Sequence, residues 1–163
     1  MKKALYDKIV DYILENQNRF YRLAFSYVRN REDAVDIVQN AVVKALEHYR
    51  DLRNENAVHT WFYRILVNES LLFLKKKKEI YLESCNDIPE IPYQEKGYES
   101  QDNLSISLES LDNETQTVIR LRFFEEMSLK EIAEITATNL NTVKARLYRG
   151  LRMLKKNIEE ADL

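Results

Sequence analysis

Glycine and proline are almost missing from this chain: two of each occur in 163 residues, and the prolines stand close together at Pro89 and Pro92. Folds made of many strands need such residues at turn after turn, because glycine supplies positive φ and proline pre-sets a bend. Outside that one segment the punctuation is absent, so long helices are what this chain can build. An apolar share of 45% beside 32% charged residues is a soluble, globular balance, and the length suits one ordinary domain or two small ones.

The proline segment decides between those two. Residues Glu83 to Asn103 hold both prolines, Gly97, six acids and one base (Lys96), without apolar periodicity, between two strongly periodic regions. They are expected to form a flexible acidic linker over 83–103 between an N-terminal domain, 1–82, and a C-terminal one, 104–163. A flexible chain of that length has a relaxed span of about 25 Å and a taut one of roughly 70 Å. The expected fold is therefore all-α, two small helical domains on a tether.

Charge is distributed unevenly behind a formal net value of −2. From Trp61 to Lys78 five bases (Arg64 and Lys75 to Lys78) face one acid, Glu69, and from Asn141 to Asn157 six bases face none. Blocks of this kind say more about partners than the total does.

In the first region the periodicity predicts a helix from about Leu5 to Val28, a second from about Glu32 to Tyr49 and a third from about Thr60 to Lys78. In the second helix Ala34, Ile37, Val38, Ala41, Val42, Ala45 and Leu46 make one apolar stripe. The opposite face carries Asp33, Asp36, Asn40 and Lys44, with Gln39 at its border, and by itself reads as a solvated surface. In the third, Phe62, Ile65 and Leu66 suit a core, whereas Trp61, Arg64 and Asn68 can be exposed together. Aromatics beside cations suit melted DNA, whose unstacked bases seek new stacking faces.

In the second region Asp112 is placed to cap a helix, and Ser128 to Glu131 matches a capping box. Asn141 is placed to cap a last helix running to about Lys156. Two helices joined so tightly are the helix-turn-helix pattern. Val143, Leu147, Leu151 and Leu154 of the last helix share an inward face, while Lys144, Tyr148, Arg149 and Arg152 point outward. That division suits a helix in the major groove, where each base releases counterions and an acid would be repelled. The charge pattern alone fits a solvated basic helix equally well; the tight preceding helix and the capping box favour DNA.

Other classes find little support. Cys85 is the only cysteine, and with His48 and His59 it makes no structural zinc set, so neither disulfide nor metal is expected and a reducing compartment fits. Acids at Asp7, Asp11 and Glu15 interrupt the N-terminus before an apolar run can form, so neither an export signal nor a membrane anchor is expected. No glycine-rich phosphate loop or nucleophile arrangement is present; neither catalysis nor a cofactor is expected.

At this point three motifs coincide with one family. REDAVDIVQNAVVKAL resembles the core-binding region of bacterial sigma factors, TWFYRILVNESLLFL their minus-10 and promoter-melting region, and MSLKEIAEITATNLNTVKARLYRGLRMLKK their minus-35 helix-turn-helix. The short layout resembles the extracytoplasmic-function class of the sigma-70 family, with a region 2 helical bundle and a region 4 helix-turn-helix. The resemblance implies cytoplasmic partners: core RNA polymerase, through its largest-subunit clamp and its flap, promoter DNA, and an anti-sigma protein, often membrane-bound. It implies that Asp33, Asp36, Gln39 and Asn40 dock on the polymerase clamp, overturning the solvated reading of that face. Residues from Arg53 to Thr60, including Asn54, Asn56 and His59, would capture a flipped minus-10 base; Trp61, Arg64 and Asn68 would line the melted strand; Lys75 and Lys76, within the run to Lys78, would hold upstream phosphates. Lys144, Ala145, Tyr148 and Arg149 would face the minus-35 groove, with Thr142 and Arg146 near phosphates.

The sequence departs from the family pattern in places. Asn40 stands where a glutamate is usual, Ala137 where the turn usually has glycine, and Asn139 and Asn141 replace a common proline and glycine. Since alanine in a left-handed conformation costs about 1 kcal/mol or more, the turn is expected to be reshaped rather than strained. A conventional helix-turn-helix repressor or activator explains the last helix equally well but leaves the aromatic, basic third helix without a purpose. An adaptor with no DNA role leaves both basic blocks unexplained.

Overall fold

The computed structural model describes residues 2–84 and 107–161, and among these every regular element is helical. The expected linker lies outside the described residues apart from its first two positions, as does Cys85. The chain divides into two compact units, one holding residues 1–80 together with Glu134–Ala137, the other Tyr81–Ala133 and Thr138–Leu163. No described helix is long and apolar enough to cross a membrane.

The first unit is built from α1 (Lys2–Glu15), α2 (Gln17–Val28), α3 (Arg31–Glu47) and α4 (Val58–Ser84), with 3₁₀ turns at Tyr49–Asp51 and Glu55–Ala57. One expected helix is thus two. The break falls at Asn16, whose side-chain amide donates to the Tyr12 carbonyl at 2.8 Å, while its own N–H turns to Ile13 O at 3.2 Å. An asparagine that bonds the backbone so close to itself competes with the helix ladder, which apolar spacing does not reveal. Between α2 and α3 the chain reverses through Arg29 at φ 54°, and Asn30 caps α3 by accepting from Asp33 N–H at 3.0 Å.

The core of this unit is aromatic. Phe20, Phe62 and Tyr63 are fully buried, with ring centroids of Phe20 and Phe62 4.4 Å apart and Tyr63 edge-on to Phe20 at 5.4 Å. Removing a Phe side chain of this kind from water is worth about 1.5–3 kcal/mol, with the ring pairing on top. The buried face of α3 is Ala34, Ile37, Ala41 and Ala45, and small side chains of this sort let α2 pack close along it. α4 continues six residues past its expected end at Lys78, and from Lys75 to Glu83 every residue is exposed.

The described residues from 107 onward form a helical turn over 107–109, α5 (Asn113–Ile119) continuing as a π-turn (Arg120–Phe124), α6 (Leu129–Thr136) and α7 (Leu140–Ala161). Two of the three expected helix-start caps are made. Asp112 accepts from Thr115 N–H at 3.2 Å and from its hydroxyl at 2.7 Å, and Ser128 and Glu131 bond reciprocally at 3.1 and 3.2 Å. The cap of α7, however, is Asn139 rather than Asn141: the Asn139 side chain accepts from Asn141 N–H at 2.8 Å, and its carbonyl takes the Val143 N–H at 3.0 Å. Two asparagines spaced two apart are equivalent to pattern reading, and the tight turn selects the earlier.

α7 packs on α5, and its Val143, Leu147, Gly150 and Leu154 are buried; Leu151, expected inside, is 36% exposed. Gly150 takes its place because nothing larger fits there. A Cβ at this position would stand 2.6 Å from Ile119 Cδ1 and 2.7 Å from Thr115 Cγ2.

Ala137 keeps the left-handed conformation, φ 53°, so the expectation of a reshaped turn is corrected. Its N–H reaches Glu134 O at 3.3 Å and Thr138 N–H reaches Ala133 O at 3.1 Å, the paired bonds of a Schellman ending, which hold the residue left-handed despite its methyl group. Ala137→Gly should therefore stabilise the turn between α6 and α7 by about 0.5–1 kcal/mol, after the greater freedom glycine gives the unfolded chain is subtracted. Thermal unfolding followed by circular dichroism checks this, and an unchanged or lower midpoint would show the left-handed site to be unstrained.

Candidate functional site

The residues singled out by sequence fall on three surfaces, which the backbone prepares in different ways. On α3 the inward alanine stripe leaves Asp36, Gln39 and Asn40 exposed together, one turn apart, with Val35 and Val43 also exposed at 39% and 51%. Asp33 is placed differently. Its side chain is only 25% exposed and one carboxylate oxygen lies 3.4 Å from Lys77 Nζ of α4. Lys44, expected on the same solvated face, pairs instead with Glu69, whose side chain is 8% exposed. The two pairs run in antiparallel order, 33 with 77 and 44 with 69, and tie α3 to α4 at two levels.

On α4 the expected stripe is present. Arg64, Asn68, Lys75 and Lys76 are exposed and Trp61 is half-buried, all following positions whose opposite sides, Phe62, Tyr63, Leu66 and Val67, fill the core. Tyr63 is thereby assigned to packing and is not available for stacking on a base.

The loop before α4 exposes Arg53, Asn54 and Asn56, and Lys8 of α1 anchors it through an ion pair with Glu55. Asn54 caps the 3₁₀ turn by accepting from Asn56 N–H at 3.1 Å, and the Thr60 hydroxyl donates to Ala57 O at 3.3 Å. His59 turns inward: its Nδ1 shares a hydrogen bond of 3.0 Å with the Tyr12 hydroxyl, and its ring stands edge-on to Tyr63 at 5.0 Å. The structure thus brings Arg53, Asn54 and Asn56 together on the loop surface and places His59 as a strut behind them. No sequence signal separates these cases, since Tyr12 is 47 positions away.

On α7 Lys144, Ala145, Tyr148, Arg149 and Arg152 are exposed on the side opposite the packed face, with Tyr148 at 59%. Thr142 is half-buried at its flank. Arg146 is held: its Nη2 donates to Glu114 Oε2 of α5 at 2.8 Å, and its side chain is 23% exposed. Burial pushes the Asp112 carboxyl up, but the Thr115 hydrogen bonds and the nearby Arg149 charge outweigh it and hold it below the usual aspartate range. The N-terminal turn of α5 thus sets two acids beside the arginines of α7.

A short capped helix, a tight left-handed turn and a long helix with basic groups outward define a helix-turn-helix DNA-binding protein, here accompanied by a separate helical bundle. Models of known families agree and go further: sigma-70 region 2 matches residues 12–80 and sigma-70 region 4 matches residues 104–154. The RNA polymerase sigma factor SigV of Bacillus subtilis strain 168 is 41% identical over 165 aligned positions, which take in 100% of this chain and 99% of that protein. The ECF RNA polymerase sigma factor SigW of the same organism is 27% identical, with 98% of this chain and 94% of that one covered. Among solved structures, the sigma factor RpoE in complex with the anti-sigma factor NepR from Bartonella quintana matches with a TM-score of 0.73 at 20% identity, over 91% of this chain and 95% of that one. CnrH in complex with the cytosolic domain of CnrY matches with a TM-score of 0.72, also at 20% identity, over 95% and 89%. The chain belongs to the sigma-70 family of RNA polymerase sigma factors, in its extracytoplasmic-function class, whose members are initiation factors and not enzymes.

Proposed function

We propose that this protein docks on core RNA polymerase in the cytoplasm, directs it to a two-part promoter and traps an unstacked base of the minus-10 element. Residues 1–82 would hold the polymerase and melt DNA, 104–163 would read the minus-35 element, and 83–103 would span between. Asp36, Gln39 and Asn40 form the polymerase contact, with Asp33 contributing at its edge. Arg53, Asn54 and Asn56 receive the flipped base, Trp61, Arg64 and Asn68 follow the strand, and Lys75 and Lys76 meet phosphates. Lys144, Ala145, Tyr148 and Arg149 face the minus-35 groove. The observation that carries this is the division of α7 into a packed face and an outward face that, from Asn141 to Asn157, is basic and free of acids. The two solved relatives are bound to an anti-sigma factor and to CnrY, which supports an inhibitor of the anti-sigma kind for this chain too.

Run-off transcription with purified core enzyme tests the reading; absence of a promoter-dependent product from a cognate template would falsify it. Truncating Arg149 to alanine should cost about 1–3 kcal/mol in minus-35 binding if it reads a guanine edge with two hydrogen bonds. An unchanged ranking of minus-35 variants in competition binding would remove Arg149 from the groove.

A further inference from the structure

We infer that Glu114 is a positioning residue for promoter binding: it holds Arg146 at the flank of α7 so that the two meet the DNA backbone as a neutral pair. The inference rests on α7 being the minus-35 reader. On a helix each residue turns about 100°. Taking the midline of the exposed face between Ala145 and Arg152, Arg146 lies about 100° around from it, toward the α5 side. Its side chain is 23% exposed and its guanidinium is bonded to Glu114 at 2.8 Å, whereas Lys144, Arg149 and Arg152 are exposed.

Glu114 itself is the unusual member. Its side chain is 67% exposed, on the first turn of α5, beside a stretch of α7, 141–157, that carries no acid of its own. An uncovered carboxylate there would face phosphate and weaken binding. Paired with Arg146 it instead fixes the angle of the guanidinium, since two planar groups in a 2.8 Å bond restrict each other. The consequence is electrostatic. Each phosphate neutralised contributes about 0.9 to the logarithmic salt dependence, and a cation whose charge is cancelled in place contributes none.

Four holoenzymes, made from core polymerase and full-length wild-type, Glu114→Gln, Arg146→Gln or doubly substituted chain, are titrated with minus-35 duplex between 50 and 200 mM salt. Glu114→Gln frees the arginine and should steepen the slope by about 0.9, an extra three- to fourfold loss of affinity across that range. Arg146→Gln uncovers the acid and should flatten the slope, and the double variant should return to the wild-type value. A wild-type slope for Glu114→Gln, or a double variant as flat as Arg146→Gln, shows Arg146 to contact phosphate independently and overturns the inference. A wild-type holoenzyme indifferent to minus-35 sequence overturns the reading of α7 and the inference with it. Unfolding midpoints of the four chains, matched within a few degrees, separate these effects from loss of fold.

Discussion

Gly150→Leu is expected to unfold the second unit and abolish minus-35 dependence, while binding to core polymerase through the first unit survives. A glycine inside a helix normally costs about 1 kcal/mol relative to alanine, so replacing it usually helps. Here the added Cβ alone would come within 2.7 Å of Thr115 Cγ2, and Thr115 cannot turn away, because its hydroxyl is held by Asp112 at 2.7 Å. Ile119 Cδ1, at 2.6 Å, is the end of a flexible chain and can yield; Thr115 is the wall. Overpacking by one carbon costs about 1–3 kcal/mol, and a leucine adds three more at the same place. A helical unit of this size has only a few kcal/mol to lose. Gly150→Ala should show the same effect in smaller measure. The check is circular dichroism of the full chain, in which the leucine variant loses part of its helical signal at 25 °C; melting at the wild-type temperature would show that α5 and α7 have room to separate.

The second large effect is expected at Asp36. Reversing its charge to arginine should weaken binding to core polymerase at least tenfold, about 1.4 kcal/mol, since a like charge placed across an interface is costly. Asp36 suits the test better than Asp33. Asp33 is bound to Lys77 and its N–H to the Asn30 cap, so any change there also disturbs α3 and α4, whereas Asp36 is exposed at the middle of the stripe. The Asp36→Arg chain should keep the wild-type melting temperature and, as isolated protein, its affinity for DNA. Equal affinity of variant and wild type for core enzyme would remove α3 from the docking surface.

Much of this arrangement is legible in the sequence alone. The alanine-rich stripe of α3, the Asp112 cap, the reciprocal Ser128 and Glu131 bonds and the two-faced character of α7 are local, and local chemistry is written in spacings of three and four residues. What escaped is of two kinds. Some of it is competition between nearly equal local choices, as when Asn16 breaks a helix whose apolar pattern runs on, or Asn139 caps in place of Asn141. The rest is long-range: Tyr12 against His59, Lys44 against Glu69, Glu114 against Arg146. One of these left a trace, as did the close approach of Gly150 to Thr115: Glu69 occupies a core position of α4 and Gly150 a core position of α7, where neither residue belongs without a specific neighbour. The trace identifies that something is there, but not what.

Glu69, nearly out of reach of water, gives the first unit a mechanical character. A carboxylate in that setting is tolerable only while Lys44 stays with it; stripping a buried charge of its partner costs about 3–5 kcal/mol, somewhat less here because the lysine is half in solvent. With Asp33 and Lys77 forming a second rung farther along, α3 and α4 resist sliding past each other. The surface proposed to grip the enzyme and the surface proposed to grip the opened strand are therefore carried by two helices cross-tied at two levels.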